Sequence, residues 1–597
     1  MLYRPNKDFQ KSLQKNTPSN TPTQSTAQHG SHLLDVPGEI LTAISSNLDP
    51  QSLDSLSQTH ERFTRHIEDD GTWRAVFNNQ YGTGLLFRRQ HRSSWRKEFT
   101  ERYEILLRYA LSRTQNTTYC PLWAPSISKI HLLSGDAGLI SLSLTLGIIS
   151  RSLPNQGLVL PGVIDASGST AARGVNPGVP NISACAFTST GGTVRILWGY
   201  LTGQVAFMVV SRVMAKPVTT EFNVSEVNEM HMGRVADVAW VDDNVGVSGG
   251  IDGSVKVWDI NHLVWTSNRS EDPCIKVAGE RLQKVLVAIR RSGAVDIWTG
   301  FTFTNNNPDL AHLTIPPIEF QGRTKADDSK VLALHIDKHT GSILVAFQGD
   351  VCFYRVNVTA ETRHIMTYGA PEGGAILSSL EPQFISQSPL GEKSFVLTGD
   401  KLGYVNVYKW APVPLDTTVR PSHTFQAIPP PFVSPQQSLR KQQAQAEEKQ
   451  GSVTAITWTP SILAVGTSTG IVTVWDSLTL ERLRVVVQPV KLRRVRTRPL
   501  NQHQQAVELG VEEPADASVK QILVCEEGDT LYINAGGEVI VCHMGDPASP
   551  SGGYRKLGKA RTPPHKGKRA LATGRWSGAY IYSLMFTQTL ICCRQNK

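Results

Sequence analysis

Residues 233–260, GRVADVAWVDDNVGVSGGIDGSVKVWDI, decide the fold. They hold three short runs of strand-like residues separated by tight turns. Alternation over so few residues, bounded by Asp, Asn, Gly and Ser, marks antiparallel strands. A similar unit, GSVTAITWTPSILAVGTSTGIVTVWDS, spans 451–477. Weaker relatives lie at 182–210, 284–300, 331–356, 394–410 and 522–544, and an extra unit begins near Ile130. One such sheet cannot bury both of its faces, so several must close into a ring. The expected fold is mainly β: a β-propeller of seven or eight blades over residues 126–545, its repeat degenerate in spacing.

Three insertions interrupt the units. Residues 161–180 are Gly-rich, 412–450 are rich in Pro and Gln and then in charges, and 483–518 run from basic to acidic. Each is expected to be a surface loop between blades. Residues 546–597 form a basic, Gly- and Pro-rich tail that ends in an apolar stretch, and a closing strand is one reading of that end.

A different period governs the N-terminal part. Residues 1–30 are Gln, Thr, Ser, Asn and Pro with few apolar groups, a composition that does not order itself. From 31 to 110 the pattern is helical. Ile40, Leu41, Ile44 and Leu48 form one stripe, Asp49-Pro50 stops that helix and caps the next, and Leu53 and Leu56 follow. Phe63 with Ile67, and Trp73 with Phe77, mark two more helices. A longer helix after Ser93 or Ser94 sets Trp95, Phe99, Tyr103, Leu106 and Leu107 on one face and its Arg and Glu residues on the other. Its apolar face is expected to extend this module or brace it against the propeller. Residues 111–125 read as a linker.

Composition narrows the function. The chain has 597 residues, 40% hydrophobic and 19% charged, which suits a globular protein of two or more domains. A net charge of +9 is mild at this length, and part of it sits in two clusters, 491–498 and 554–569. Direct nucleic-acid binding is not expected from so diffuse a charge. The eight cysteines form no C-x-x-C pair and no His cluster stands at ligand spacing, so neither a metal nor another cofactor is expected. With no signal peptide and no membrane-length apolar run, the expected location is intracellular, cytoplasmic or nuclear or both, with no membrane partner. Gly466-Thr467-Ser468-Thr469-Gly470 matches G-x-S-x-G, but a strand follows it where a nucleophile elbow needs a helix. There is no P-loop, no RING spacing and no cysteine in a ubiquitin-transferring context, so no enzyme activity is expected.

The helical run resembles the F-box. The matching residues are Val36-Pro37, Glu39-Ile40-Leu41, Ile44, Leu48-Asp49-Pro50, Leu53, Leu56-Ser57, Phe63, Asp70, Trp73 and Phe77. Family members usually carry Leu where Val36 stands. The 233–260 unit resembles a WD40 repeat: His231, Ser248, Asp252 and Trp258 match that family's structural tetrad, and Trp258-Asp259 its signature dipeptide. Trp475-Asp476 repeats the dipeptide, but Thr469 stands where the tetrad Asp belongs. F-box then WD40 is the order found in F-box/WD40 substrate receptors of SCF-type ubiquitin ligases.

That resemblance implies a substrate-recruiting adaptor that docks a Skp-type linker, and through it a cullin scaffold, while the propeller binds a target protein. The linker-binding residues it implies are Pro37, Ile40, Leu41, Ile44, Leu48, Leu53 and Leu56. The target-binding face it implies carries Ala236, Ile251, Thr454 and Ser468. Phosphate-reading members place Arg side chains at those positions, and an Arg fork is what phosphate recognition needs. The small, apolar and hydroxylated set here implies a neutral or apolar target peptide. The other reading is a WD40 scaffold whose F-box-like helices serve assembly without ubiquitination.

Overall fold

A computed structural model describes residues 33–545, except 83, 87, 92, 122–126, 134–137, 168–181, 261, 304–309, 321–329, 359–362, 371–372, 387–392, 411–417, 429–450 and 488–517. The sequence expectations for residues 1–30, for the basic cluster 491–498 and for the tail 546–597 therefore lie outside the described residues.

Five helices open the chain: α1 (Gly38–Ser45), α2 (Pro50–Ser57), α3 (Glu61–Glu68), α4 (Asp70–Tyr81) and α5 (Trp95–Leu111). Local chemistry fixes their ends. Asp49 accepts the Ser52 amide at 2.7 Å and caps α2, with Pro50 in its first turn. Ser94 accepts the Lys97 amide and caps α5. The Asp70 carboxylate accepts the Trp95 amide at 2.7 Å, tying the start of α4 to the start of α5. Asn79 and Gln80 on α4 donate to Ser46 and Leu48 and anchor the α1–α2 turn.

Eight antiparallel sheets follow, one per blade. The unit that announced the fold is blade three, Val235–Trp240, Val245–Gly250 and Val255–Asp259, and it has a fourth, outer strand, Leu263–Thr266. The unit near Ile130 is blade one. Most innermost strands carry a bulge one residue in, as between Val235 and Asp237 or Val453 and Ala455.

The structure corrects four boundaries. Residues 111–125 are not a plain linker: Thr114–Tyr119 is the outer strand of blade eight, paired antiparallel from Thr114↔Met544 to Tyr119↔Val539. The outer place of the last blade is thus filled from the N-terminal side, whereas a strand from the 546–597 tail was the other expectation. The 412–450 insertion contains the outer strand of blade six, His423–Gln426, and the 483–518 insertion overlaps the outer strand of blade seven, Arg482–Val487. Ile164–Asp165, within 161–180, pairs with blade one. For Thr114–Tyr119 and His423–Gln426 the reason is that an outer strand packs little of its surface, so its residues need no apolar alternation.

Blade three holds the tetrad intact. His231 Nε2 lies 2.7 Å from Ser248 Oγ, Trp258 Nε1 donates to the same oxygen at 2.8 Å, and His231 Nδ1 lies 3.2 Å from Asp252. In blade four a buried ion pair, Arg290 with Asp296, does the comparable job, and Arg290 also donates to the Gly253 carbonyl of blade three.

Candidate protein-docking surfaces

The seven residues expected to dock a linker divide by burial. Leu41 and Leu53 turn into the module core, which corrects their assignment to its surface. Leu48 and Leu56 are partly buried against the same core. Pro37, Ile40 and Ile44 lie outward on one face of α1, Ile40 at 53% and Ile44 at 41% exposure, with Leu33 exposed just before them. Leu41 and Ser45 hold the opposite face of the helix against the module. Adjacent aliphatic residues look alike in sequence, and the packing partner decides which one turns in.

The module is welded to the propeller. One continuous apolar core joins Trp73, Phe77, Trp95 and Phe99 to Phe395, Trp458 and Trp475 of blades six and seven. The second half of α5 places Ile105 and Tyr109 in the core of blades seven and eight. Two residues read as solvent-facing on α5, Glu98 and Arg102, are buried. Arg102, 1% exposed, pairs with Asp476, donates to the Pro460 carbonyl and to Ser477 Oγ (3.2 Å), and lies 4.7 Å from the Tyr81 ring centre. Glu98 accepts the His91 amide, and burial pushes its carboxyl up from the ordinary value. The signal that could have exposed Arg102 was its spacing: it falls between Phe99 and Ile105 on the inward side of α5.

Pro460, Asp476 and Ser477 sit in the turns that follow the first and third strands of blade seven. Strands alternate direction, so the turns after second strands and the loops before first strands lie on the opposite face. Ile251 belongs to that free face and is exposed, its amide bonded to the Arg234 carbonyl at 3.0 Å. Ala236 is the bulged residue beside it and is half-buried. The other two expected target-binding residues are held in hydrogen bonds of the propeller, Thr454 to the next blade and Ser468 within its own. Thr454 Oγ1 donates to the Val519 carbonyl of blade eight at 2.6 Å, as Ser183 does to Val235 and Ser378 to Val453. Ser468 Oγ accepts the Ser452 amide at 3.0 Å. The structure therefore brings Ala236 and Ile251 together at blade three and sets Thr454 and Ser468 apart at blade seven.

No family model matches the chain. Over 239 residues it is 26% identical to the F-box/WD repeat-containing protein pof10 of Schizosaccharomyces pombe (strain 972 / ATCC 24843), which covers 38% of this chain and 34% of that protein. The chain thus matches about a third of that relative's length, 34%. Among solved structures it is similar to the computationally designed Ika8 protein, with a TM-score of 0.42 and 15% identity over 71% of this chain and 98% of that one. That likeness is too loose to add to the fold described above. A helical module followed by an eight-bladed WD40-type propeller, together with the yeast relative, supports an F-box/WD40 protein. Among the described residues, no helix is long and apolar enough to cross a membrane.

Proposed function

We propose that this chain is a substrate-recruiting adaptor of an SCF-type ubiquitin ligase. The α1 face of Pro37, Ile40 and Ile44 docks a Skp-type linker carried by a cullin scaffold, and the propeller holds the target. It brings no catalytic group of its own, and ubiquitin transfer is left to its partners. The observation that carries the reading is the pair Ile40 and Ile44, two large aliphatic side chains exposed on a helix whose other face is buried. Exposed aliphatic groups set side by side on a small module favour a protein partner.

Substituting Ile40→Asp with Ile44→Asp tests it. Both side chains are exposed, so the fold should persist while each charge costs about 2–4 kcal/mol at a desolvated contact. The expected result is a folded protein that no longer co-purifies with a Skp-type linker and cullin. Unchanged recovery of both partners would overturn the reading. Recovery of neither partner by the wild-type chain would favour the scaffold alternative.

A further inference from the structure

Four large apolar side chains stand exposed together on the free face of blades two and three. Val227 (75%) and Met232 (66%) project from the loop that leads into blade three, while Leu201 and Ile251 project from the turns on either side. Backbone contacts bring Leu201, Met232 and Ile251 together, and Val227 stands earlier in the same loop. The His231 amide bonds the Gly203 carbonyl at 2.9 Å, so the Leu201 turn abuts the loop. A Cβ on Gly233 would lie 3.1 Å from the Ile251 side chain, so that turn abuts it from the other side. Isolated exposed aliphatic residues are ordinary on a protein surface, but four in one patch are not.

The loop is also held rigid. His231 is fully buried in the tetrad, and the next amide, that of Met232, donates to Asp252 at 2.8 Å. Burial works to raise the Asp252 carboxyl, yet hydrogen bonds from His231 and Met232 hold it well below the usual carboxylate range. The intact tetrad thus fixes the backbone from which Met232 projects. A surface ordered before binding loses little conformational freedom when a partner arrives.

Charge distinguishes the two ends of the loop. Glu226 and Glu229 flank Val227 in a turn closed by two amides bonded to the Glu226 carbonyl, which makes the Val227 end anionic. Arg234, Lys256 and Arg269 lie at the other end, around His231 and Ile251.

We infer that the loop 224–234, with Leu201 and Ile251, binds an unphosphorylated peptide segment of the target whose large aliphatic side chains are flanked by Lys or Arg. This rests on the reading of the propeller as the target-binding half.

The test uses the intact chain and short fluorescent peptides, read by anisotropy. One peptide sets Leu and Ile between lysine pairs, a second sets the same core between glutamates, a third between phosphoserines, and a fourth replaces the core by Ser. The lysine-flanked aliphatic peptide should bind best. Met232→Ser and Val227→Ser should each weaken it on the order of tenfold, the scale of a truncated anchor. Glu226→Gln with Glu229→Gln should erase the preference for lysine over glutamate flanks. No binding of that peptide, binding indifferent to Met232 and Val227, or preference for phosphoserine would each overturn the inference. Recovery of the Skp-type linker reads the opposite end of the molecule. Peptide binding without linker recovery refutes the ligase reading alone, and the reverse pattern refutes this inference alone.

Discussion

Replacing Arg102 by Met should loosen the helical module from the propeller without unfolding either. Met replaces the aliphatic stem of Arg, so the change chiefly removes the guanidinium. That group touches Asp476, Ser477 Oγ, the Pro460 carbonyl and the Tyr81 ring. Removing one member of a buried ion pair costs about 3–5 kcal/mol, because the other charge stays buried. Asp476 keeps the Leu478 amide at 2.8 Å and the Thr479 amide at 3.4 Å, which sets the cost near the low end, about 3 kcal/mol. Hydrogen exchange resolved along the chain is the assay, because it reads local opening directly. Amides in the second half of α5 should exchange on the order of a hundredfold faster, the equivalent of that free energy. Adding Asp476→Asn removes the stranded charge and keeps an acceptor for the two amides, so part of the protection should return. Unchanged exchange in α5 of a folded Arg102→Met protein would refute the argument that this pair clamps the joint.

Other substitutions probe the ring itself. Ser248→Ala removes the oxygen shared by His231 and Trp258, leaving two buried groups without that partner, and should cost about 2–4 kcal/mol in thermal unfolding. Burial pushes the Glu381 carboxyl up from its ordinary value to about 7. The unfolded chain therefore ionises before the native one, and this residue's contribution to stability falls as pH rises through that window. Glu381→Gln should melt above the wild type at pH 8, by the equivalent of about 1–3 kcal/mol, and match it near pH 4.5. Equal melting at both pH values would contradict it. Gly528 sits at φ +73° with a would-be Cβ 3.1 Å from Ile105, so Gly528→Ala should destabilise by about 1–2 kcal/mol and speed exchange in α5 as well.

The parts of this fold legible in the sequence are those where one residue carries one unambiguous instruction. Asp49-Pro50 stops one helix and starts the next, and Trp258-Asp259 ends a strand that belongs to a complete tetrad. The strand Thr114–Tyr119 was not legible, because TQNTTY holds no aliphatic side chain and faces solvent along much of its length. Arg102 was misread since a charged residue on an amphipathic helix is normally solvated, and its partner Asp476 lies 374 residues away. The exposure of the seven N-terminal apolar residues was only partly legible. Composition and spacing located α1, but which of Ile40 and Leu41 turns inward depends on α4, whose placement no local pattern reports. Thr454 was placed on the target face by its position in the repeat, whereas the bulge at Thr454 aims its oxygen at the neighbouring blade.

The strand Thr114–Tyr119 also imposes an order on biosynthesis. Its partner, Glu538–Met544, leaves the ribosome about 430 residues later, so until then Thr114–Tyr119 has no strand to pair with. A nascent chain has the exposed face of α1 long before it has anything fixed to hold it at an angle. Closure across so great a sequence separation is slow and leaves apolar edges uncovered meanwhile, which is the interval in which chaperones act. Completion of the ring and orientation of the helical module are therefore one event. A truncated or misfolded propeller would carry its helices on a swinging tether, and only a finished one presents them at a fixed distance and angle.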